Sequence, residues 1–276
     1  MARRSDREGM ILLNVLLVVA MASVTVLIMV AGQDLEIQRS TRLRDVAQAG
    51  AYARAGELSA ITSLRRDGIV AAGTDNLTEP WAALSQTSVA VPSGRFALAI
   101  EDEQARFNLN AMVGGEAGPI DLFQRIGAAA GVAPESLIRI ATVVRVAGPL
   151  SDDRLLLAAG ITPDELARLS PFVVILPSAA RLNLNTVGES LLALVLNDPE
   201  SARALIARRA QVGYLTQADL AAAGAPPAAT GFTSDHFRTT TSVTVGAVDQ
   251  VVTSRLTRTR GAGRVDVVVT GRQSGV

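Results

Sequence analysis

Residues 10–31 read MILLNVLLVVAMASVTVLIMVA, and no charged residue occurs between Met10 and Gln33. At about 1.5 Å of rise per residue, a helix of this length crosses a hydrocarbon core of about 30 Å. The preceding MARRSDREG carries Arg3, Arg4 and Arg7. By the positive-inside tendency these hold the N-terminus in the cytoplasm and direct the rest of the chain outward. A cleaved secretory signal fits poorly, because the apolar run exceeds the usual run of about 7–15 residues and ends in Met29-Val30-Ala31. A permanent anchor and a leader cut between Gly9 and Met10 remain as readings.

Beyond the span, residues 32–68 read GQDLEIQRSTRLRDVAQAGAYARAGELSAITSLRRDG. Leu35, Leu43, Val46, Ala53, Leu58, Ile61 and Leu64 recur at mostly helical spacings, which predicts one helix from Met10 to about Arg66. Gly50 and Gly56 weaken it locally.

Composition agrees with a chain partly in lipid: 49% of its residues are hydrophobic and the mean hydropathy is +0.30. Basic and acidic residues balance at 26 each, so no global positive field attracts nucleic acid. The absence of cysteine excludes disulfides, thiolate chemistry and Cys-type zinc sites. Aromatic residues are few, with Trp81 the only tryptophan, so the cores must be small and aliphatic.

His236 is the sole histidine, which leaves no zinc set and no Cys-His pair and makes a Ser-His-Asp arrangement hard to build; no enzyme is expected. Gly114-Gly115 and Gly261-Ala262-Gly263 lack the Lys and the strand-to-helix setting of a phosphate loop and read as turns. Asp152 and Asp153, or Glu101, Asp102 and Glu103, offer hard oxygens. A calcium ion needs about 6–8 of them from a shaped loop, so these read as solvated carboxylates.

Alternation in RFALAIEDEQARFNLN predicts a strand over Arg95 to Ile100. From about Met112 to Phe232 the chain is expected to be almost entirely helical. Capping boxes are read at Thr162-Pro163-Asp164-Glu165 and Thr186-Val187-Gly188-Glu189, and Asp198-Pro199 reads as a further cap. Thr- and Val-rich sequence then favours a hairpin of Val248 to Thr259 and Arg264 to Thr270. Phe107-Asn108-Leu109-Asn110 is echoed by Leu182-Asn183-Leu184-Asn185, a weak internal repeat. Asn183 and Asn185 suit backbone pairing in a loop and capping of the next helix, while the leucines fill the core.

A glycine directly before an apolar span, itself continued by a stem helix, is similar to type IV pilins and pseudopilins. That resemblance implies removal of Met1 to Gly9 by prepilin peptidase and N-methylation of Met10. Most of that family has Glu as the fifth mature residue, a position occupied here by Asn14. K-type subunits typically lack this Glu, and a tip subunit has no terminal amine above it to neutralise.

The leader and span, ARFNLN, ILPSAARLNLNTV, and LLALVL followed by ARALIARR together resemble the K-type minor pseudopilin of bacterial type II secretion. The resemblance implies an α+β fold: a long transmembrane and stem helix, an antiparallel pseudopilin sheet, and a large inserted all-α domain like SAM or helix-hairpin-helix modules. It divides the chain into leader 1–9, transmembrane helix 10–31, stem 32–70, head 71–111 with 233–276, and inserted helical domain 112–232. It implies a non-catalytic inner-membrane subunit, its head periplasmic, at the pseudopilus tip. The partners implied are I- and J-type minor pseudopilins, the major pseudopilin, the inner-membrane assembly platform, prepilin peptidase and secreted proteins. Calcium is a ligand in that family. Here RIATVVRVAGPLSDDRLLLAAG is shorter and lacks the Trp-Asp-x-Asp-like acidic stretch, so no metal site is assigned.

Two alternatives share the leader and the motif: a minor pilin of a type IV pilus, and a membrane-tethered helix-hairpin-helix protein of DNA uptake. In the latter module a Gly-rich hairpin offers backbone amides to phosphate. The corresponding Val195-Leu196-Asn197-Asp198-Pro199 has a proline without an amide hydrogen and an aspartate that repels phosphate, and Arg181 to Gly224 carries four Arg against four acids. No nucleic acid is expected. Arg208 and Arg209 read as a solvated helix face, with a partner contact as the other reading.

Overall fold

A computed structural model describes residues 2–177, 180–224, 229–261 and 263–275, with the backbone alone for 2–9, 86 and 87. Met1 of the expected leader, Ser178 and Ala179 of ILPSAARLNLNTV, residues 225–228 of the expected helical block and Ala262 of the expected terminal turn lie outside the described residues.

Helix α1 runs unbroken from Ala2 to Val70, about 100 Å at the standard rise. Along the chain follow α2 (Pro80–Ala83), β1 (Gln86–Val91), β2 (Gly94–Asp102) and β3 (Phe107–Asn108). Then come α3 (Ala117–Ala129), α4 (Pro134–Ala147), α5 (Arg154–Ala158), α6 (Pro163–Leu169), β4 (Val173–Val174) and β5 (Leu182–Asn183). The chain closes with α7 (Glu189–Leu196), α8 (Pro199–Val212), α9 (Gln217–Ala222), β6 (Thr230–Gly231), β7 (His236–Val245), β8 (Val248–Gly261) and β9 (Arg264–Gly275).

One antiparallel sheet, in the order β1-β2-β7-β8-β9, receives the C-terminal half of α1 on one face. The helix lays mostly small residues on that sheet, with Leu64 as the large one. Leu35, Leu43, Val46 and Leu58 are exposed, whereas Ala49, Ala53, Gly56, Ala60 and Leu64 form the buried ridge. Small residues let the helix backbone come close: a Cβ on Gly56 would lie 2.9 Å from Thr241 Oγ1 and 3.0 Å from the Phe96 ring. Trp81 of α2 enters the same core and meets Phe237 edge-on at 5.3 Å between ring centres. The early and late strands share this sheet because β2 pairs β7 along its whole length, from Gly94 opposite Val245 to Asp102 opposite Phe237.

The expected strand over 95–100 lies inside β2, and the expected terminal hairpin is β8–β9. Strands β1 and β7 were not foreseen. The first pairs irregularly, with a register shift between Gln86 and Val89. The second turns Thr239 and Thr241 inward beside Phe237 and Val243, so its buried row is only partly apolar.

The helical block packs around its own core, with Phe123, Ile126, Ile140, Val144, Leu156, Leu184 and Leu192 fully buried. It is not wholly helical. Two-residue parallel pairs, β3 with β4 and β5 with β6, tie its ends together. The box at Thr162 forms, with Glu165 N donating to Thr162 Oγ1 at 3.2 Å and Thr162 N donating to Glu165 Oε2 at 2.9 Å. The box expected at Thr186 does not: Gly188 caps α7 without a side-chain bond, and the Thr186 hydroxyl donates to Asp102 instead. The hydroxyl's partner is a carboxylate brought in from the sheet. The architecture is α+β.

Candidate functional site: an exposed apolar helix and a buried polar junction

The span is uncovered. Over its most apolar window the mean hydropathy of α1 is 2.8, and none of the described residues buries it. Gly9 lies within the helix backbone, while Met10 and Asn14 are exposed. Ser23 and Thr25 return their hydroxyls to the Val19 and Met21 carbonyls at 2.8 and 2.9 Å, hiding two polar groups within the helix. Exposure continues beyond the span through Leu43, Val46, Leu58, Ile69 and Val70.

The two Asn-Leu-Asn motifs occupy equivalent places. In each, the first Asn ends a two-residue strand and its Oδ1 accepts the backbone N–H of the second, Asn108 from Asn110 at 3.1 Å and Asn183 from Asn185 at 2.9 Å. In each, the second Asn grips both backbone groups of one distant leucine. Asn110 accepts from Leu150 N and donates to Leu150 O, both at 2.8 Å. Asn185 accepts from Leu215 N at 2.6 Å and donates to Leu215 O at 3.4 Å. All four side chains are buried, where an amide must find both donors and acceptors. The motifs brace loops and do not cap α3 or α7.

The remaining capacity differs between the copies. Asn108 donates to Pro177 O at 2.9 Å, within the helical block. Asn183 donates to Asp75 O, Asp102 Oδ2 and Ser234 Oγ at 2.8–3.0 Å, and so joins the block to the sheet and to the loop after α1. Asp102 is buried; besides Asn183, Oδ2 accepts from Thr186 and Ser234, and Oδ1 from Gln104 N at 2.8 Å. Burial raises its pKa to about 6, although these donors pull the other way.

Beside it lies a cluster that sequence inspection missed. Arg258 of β8 is wholly buried; it pairs with Asp67 of α1 and with Asp75, and its guanidinium sits 5.0 Å from the Phe237 ring centre. Arg260 reaches Asp75 at 3.0 Å and also pairs with Asp235. Glu79 accepts from Trp81 Nε1 at 2.8 Å and Asn76 Nδ2 at 2.7 Å. Burial, then the Glu79 and Asp75 charges, raise the Asp67 pKa to about 7. Sequence distance concealed the cluster, since Asp67 and Arg258 are 191 positions apart.

Asp67, Asp75 and Glu79 are the one trio of potential metal ligands found among the described residues. Arg258 already supplies their counter-charge. Asp152, read as a solvated carboxylate, is exposed and accepts from Arg154 N at 3.0 Å, and its neighbour Asp153 is exposed too. Glu101 pairs with Arg238, while Glu103 is buried between Arg106 and Arg255. The solvated-loop reading therefore fails for Asp102 and Glu103. These residues do not fit a calcium site.

His236 is half-buried, its Nδ1 3.3 Å from the Thr257 hydroxyl, and burial lowers its pKa. Arg208 pairs with Asp219 at 3.2 Å on the surface. Arg209, expected on a solvated face, instead donates to Leu184 O and Val187 O at 3.0 and 2.9 Å, clamping α8 to the second motif. Between α7 and α8, Asn197 takes a left-handed conformation and Asp198 accepts from Glu200 N at 2.9 Å. That hairpin presents a carboxylate.

No family model matches the chain. It is 27% identical over 303 aligned residues to "Type II secretion system protein K" of Pseudomonas aeruginosa PAO1, covering 92% of this chain and 90% of the relative. Its fold matches a chain of the crystal structure of the GspK-GspI-GspJ complex from enterotoxigenic Escherichia coli. The TM-score is 0.64 at 17% identity, over 86% of this chain and 99% of that one. Sequence similarity over nearly the full length of both proteins, together with the same α+β layout, supports a K-type minor pseudopilin of type II secretion.

Proposed function

We propose that this subunit starts and caps the periplasmic pseudopilus as its tip, acting through surfaces and not through catalysis. Prepilin peptidase removes Met1 to Gly9, Met10 is N-methylated, and residues 10–31 remain in the inner membrane with the N-terminus cytoplasmic and the head periplasmic. The observation that carries this reading is the apolar surface of α1, which stays uncovered beyond the span at Leu43, Val46 and Leu58 while the opposite ridge is used by the chain's own sheet. A stem in that state needs other stems beside it. The I- and J-type subunits named with the similar solved structure supply the expected neighbours, and the major pseudopilin, the assembly platform and secreted proteins complete the set.

Tip placement is supported by Asn14 at the position of the filament-core glutamate and by the helical block 112–232, which widens a head made of 71–111 and 233–276 against stacking from above. The intact mass of membrane-extracted protein, made with and without prepilin peptidase, tests the assignment. A fall by the mass of residues 1–9 with one added methyl group is expected; an unprocessed N-terminus would remove the chain from the pilin machinery. The natural absence of cysteine allows a second test, in which Leu43→Cys crosslinks to single-cysteine stems of the I- and J-type subunits.

A further inference from the structure

The outer face of the sheet meets the helical block along a groove of about 630 Å³. Its sheet wall concentrates guanidinium groups. Arg238 of β7 and Arg255 of β8 are directly paired across the strands, an arrangement that costs stability unless anions intervene. Arg106 adds a third guanidinium to the same groove.

Among the described residues, two glutamates pair with these three cations. Glu101 pairs with Arg238, and Glu103 is shared by Arg106 at 3.6 Å and Arg255 at 3.3 Å. Burial and then the Arg238 charge lower the Arg106 pKa, against the opposing pull of Glu103 and Glu101. Arg255 remains half-exposed and Arg238 one-third exposed, so both reach an incoming group.

The opposite wall carries Asp152 and Asp153 at its rim, the first occupied by Arg154 at 3.6 Å. Apolar side chains that include Leu109 and Leu156 line the groove between the two walls.

We infer that this groove binds an extended acidic peptide segment of a partner protein, its carboxylates on Arg238, Arg255 and Arg106. Planar guanidiniums grip carboxylates through paired hydrogen bonds, and the groove admits a chain a few residues long. The surface is separate from the stem, so it stands or falls independently of leader processing and tip placement.

The test uses the full-length chain in nanodiscs and a labelled peptide alternating Glu and Ala, read by fluorescence anisotropy against a peptide alternating Gln and Ala. The Glu peptide is expected to bind roughly tenfold or more tightly than the Gln peptide, and to weaken as salt is added. R238Q/R255Q should lose about that factor, and R238K/R255K, which keeps the charge but not the paired hydrogen bonds, should recover only part of it. If the double Gln variant does not fold, R255Q alone, at a half-exposed site, gives the reading. Equal binding of the two peptides, no binding of the Glu peptide, or full affinity in the Gln variants overturns the assignment. So does tighter binding of a single-stranded oligonucleotide of equal charge, which would make the groove a polyphosphate site.

Discussion

Arg258, in the penultimate strand, donates through Nη1 to the Asp67 carboxylate at 3.1 Å, in the last turn of the long helix, and neither group reaches water. This contact and the adjacent pair to Asp75 lock the end of the stem to the sheet. Removing the cation leaves two buried carboxylates without their main partner. Arg258→Met is therefore expected to destabilise the head by about 3–5 kcal/mol. Urea denaturation followed by fluorescence of Trp81, the only tryptophan and part of the same core, measures it. A loss below about 1 kcal/mol, the scale of an exposed pair, would show the cluster to be energetically idle.

Asp67 and Asp102 have pKa values raised to about 7 and about 6 in the folded chain, against about 3.9 for an unfolded aspartate. Between those values the folded state binds more protons than the unfolded one, so their contribution to stability falls as pH rises from about 4 to about 7 and is level above that. Asp67→Asn removes one titration. Its melting temperature relative to the parent should climb across that pH window and then plateau. A difference independent of pH would rule out the raised Asp67 value.

Asn183 directs one amide group to three acceptors in three different segments, whereas Asn108 bonds within the helical block. Asn183→Ala should cost about 2–4 kcal/mol, since buried Asp75, Asp102 and Ser234 each lose a partner. It should also loosen the block from the sheet, which limited proteolysis would detect as cleavage in the connections near residues 103–106 or 232–235. If Asn108→Ala opened the same connections and Asn183→Ala did not, the two motifs would have been assigned the wrong roles.

Gly94 opens β2 with its α-carbon against β7, and a Cβ there would stand 1.7 Å from the Thr244 carbonyl oxygen. Backbone atoms yield less readily than a side chain. Gly94→Ala is expected to cost at least about 1–3 kcal/mol by forcing the first β2–β7 pair apart. Hydrogen exchange at the Val245 and Gly246 amides should accelerate more than at the Phe237 end of the strand; uniform protection would contradict the close approach.

Features dictated by local order were legible along the chain itself. An uncharged apolar run of span length, the helical stem, the alternation around Leu98, the terminal hairpin and the Thr162 capping box each depend on residues a few positions apart, so periodicity and capping chemistry expose them. The paired Asn-Leu-Asn motifs were visible too. Their two-point grip on Leu150 and Leu215 was not, because those partners lie 40 and 30 positions away.

Tertiary structure decided the rest. Hydrophobic spacing marked Leu35, Leu43, Val46, Ala53, Leu58, Ile61 and Leu64; of these Ala53 and Leu64 are buried, while the sheet otherwise accepts the small residues Ala49, Gly56 and Ala60 and leaves Leu35, Leu43, Val46 and Leu58 outside. Periodicity locates an apolar stripe and does not say which neighbour will cover it. Thr186 was equally free to cap α7 or to bind a carboxylate until Asp102 arrived from β2. For Asp67, Asp75 and Arg258 no local signal exists, because charged residues are ordinarily solvated and only the closing of early strands against late ones puts these in one dry site.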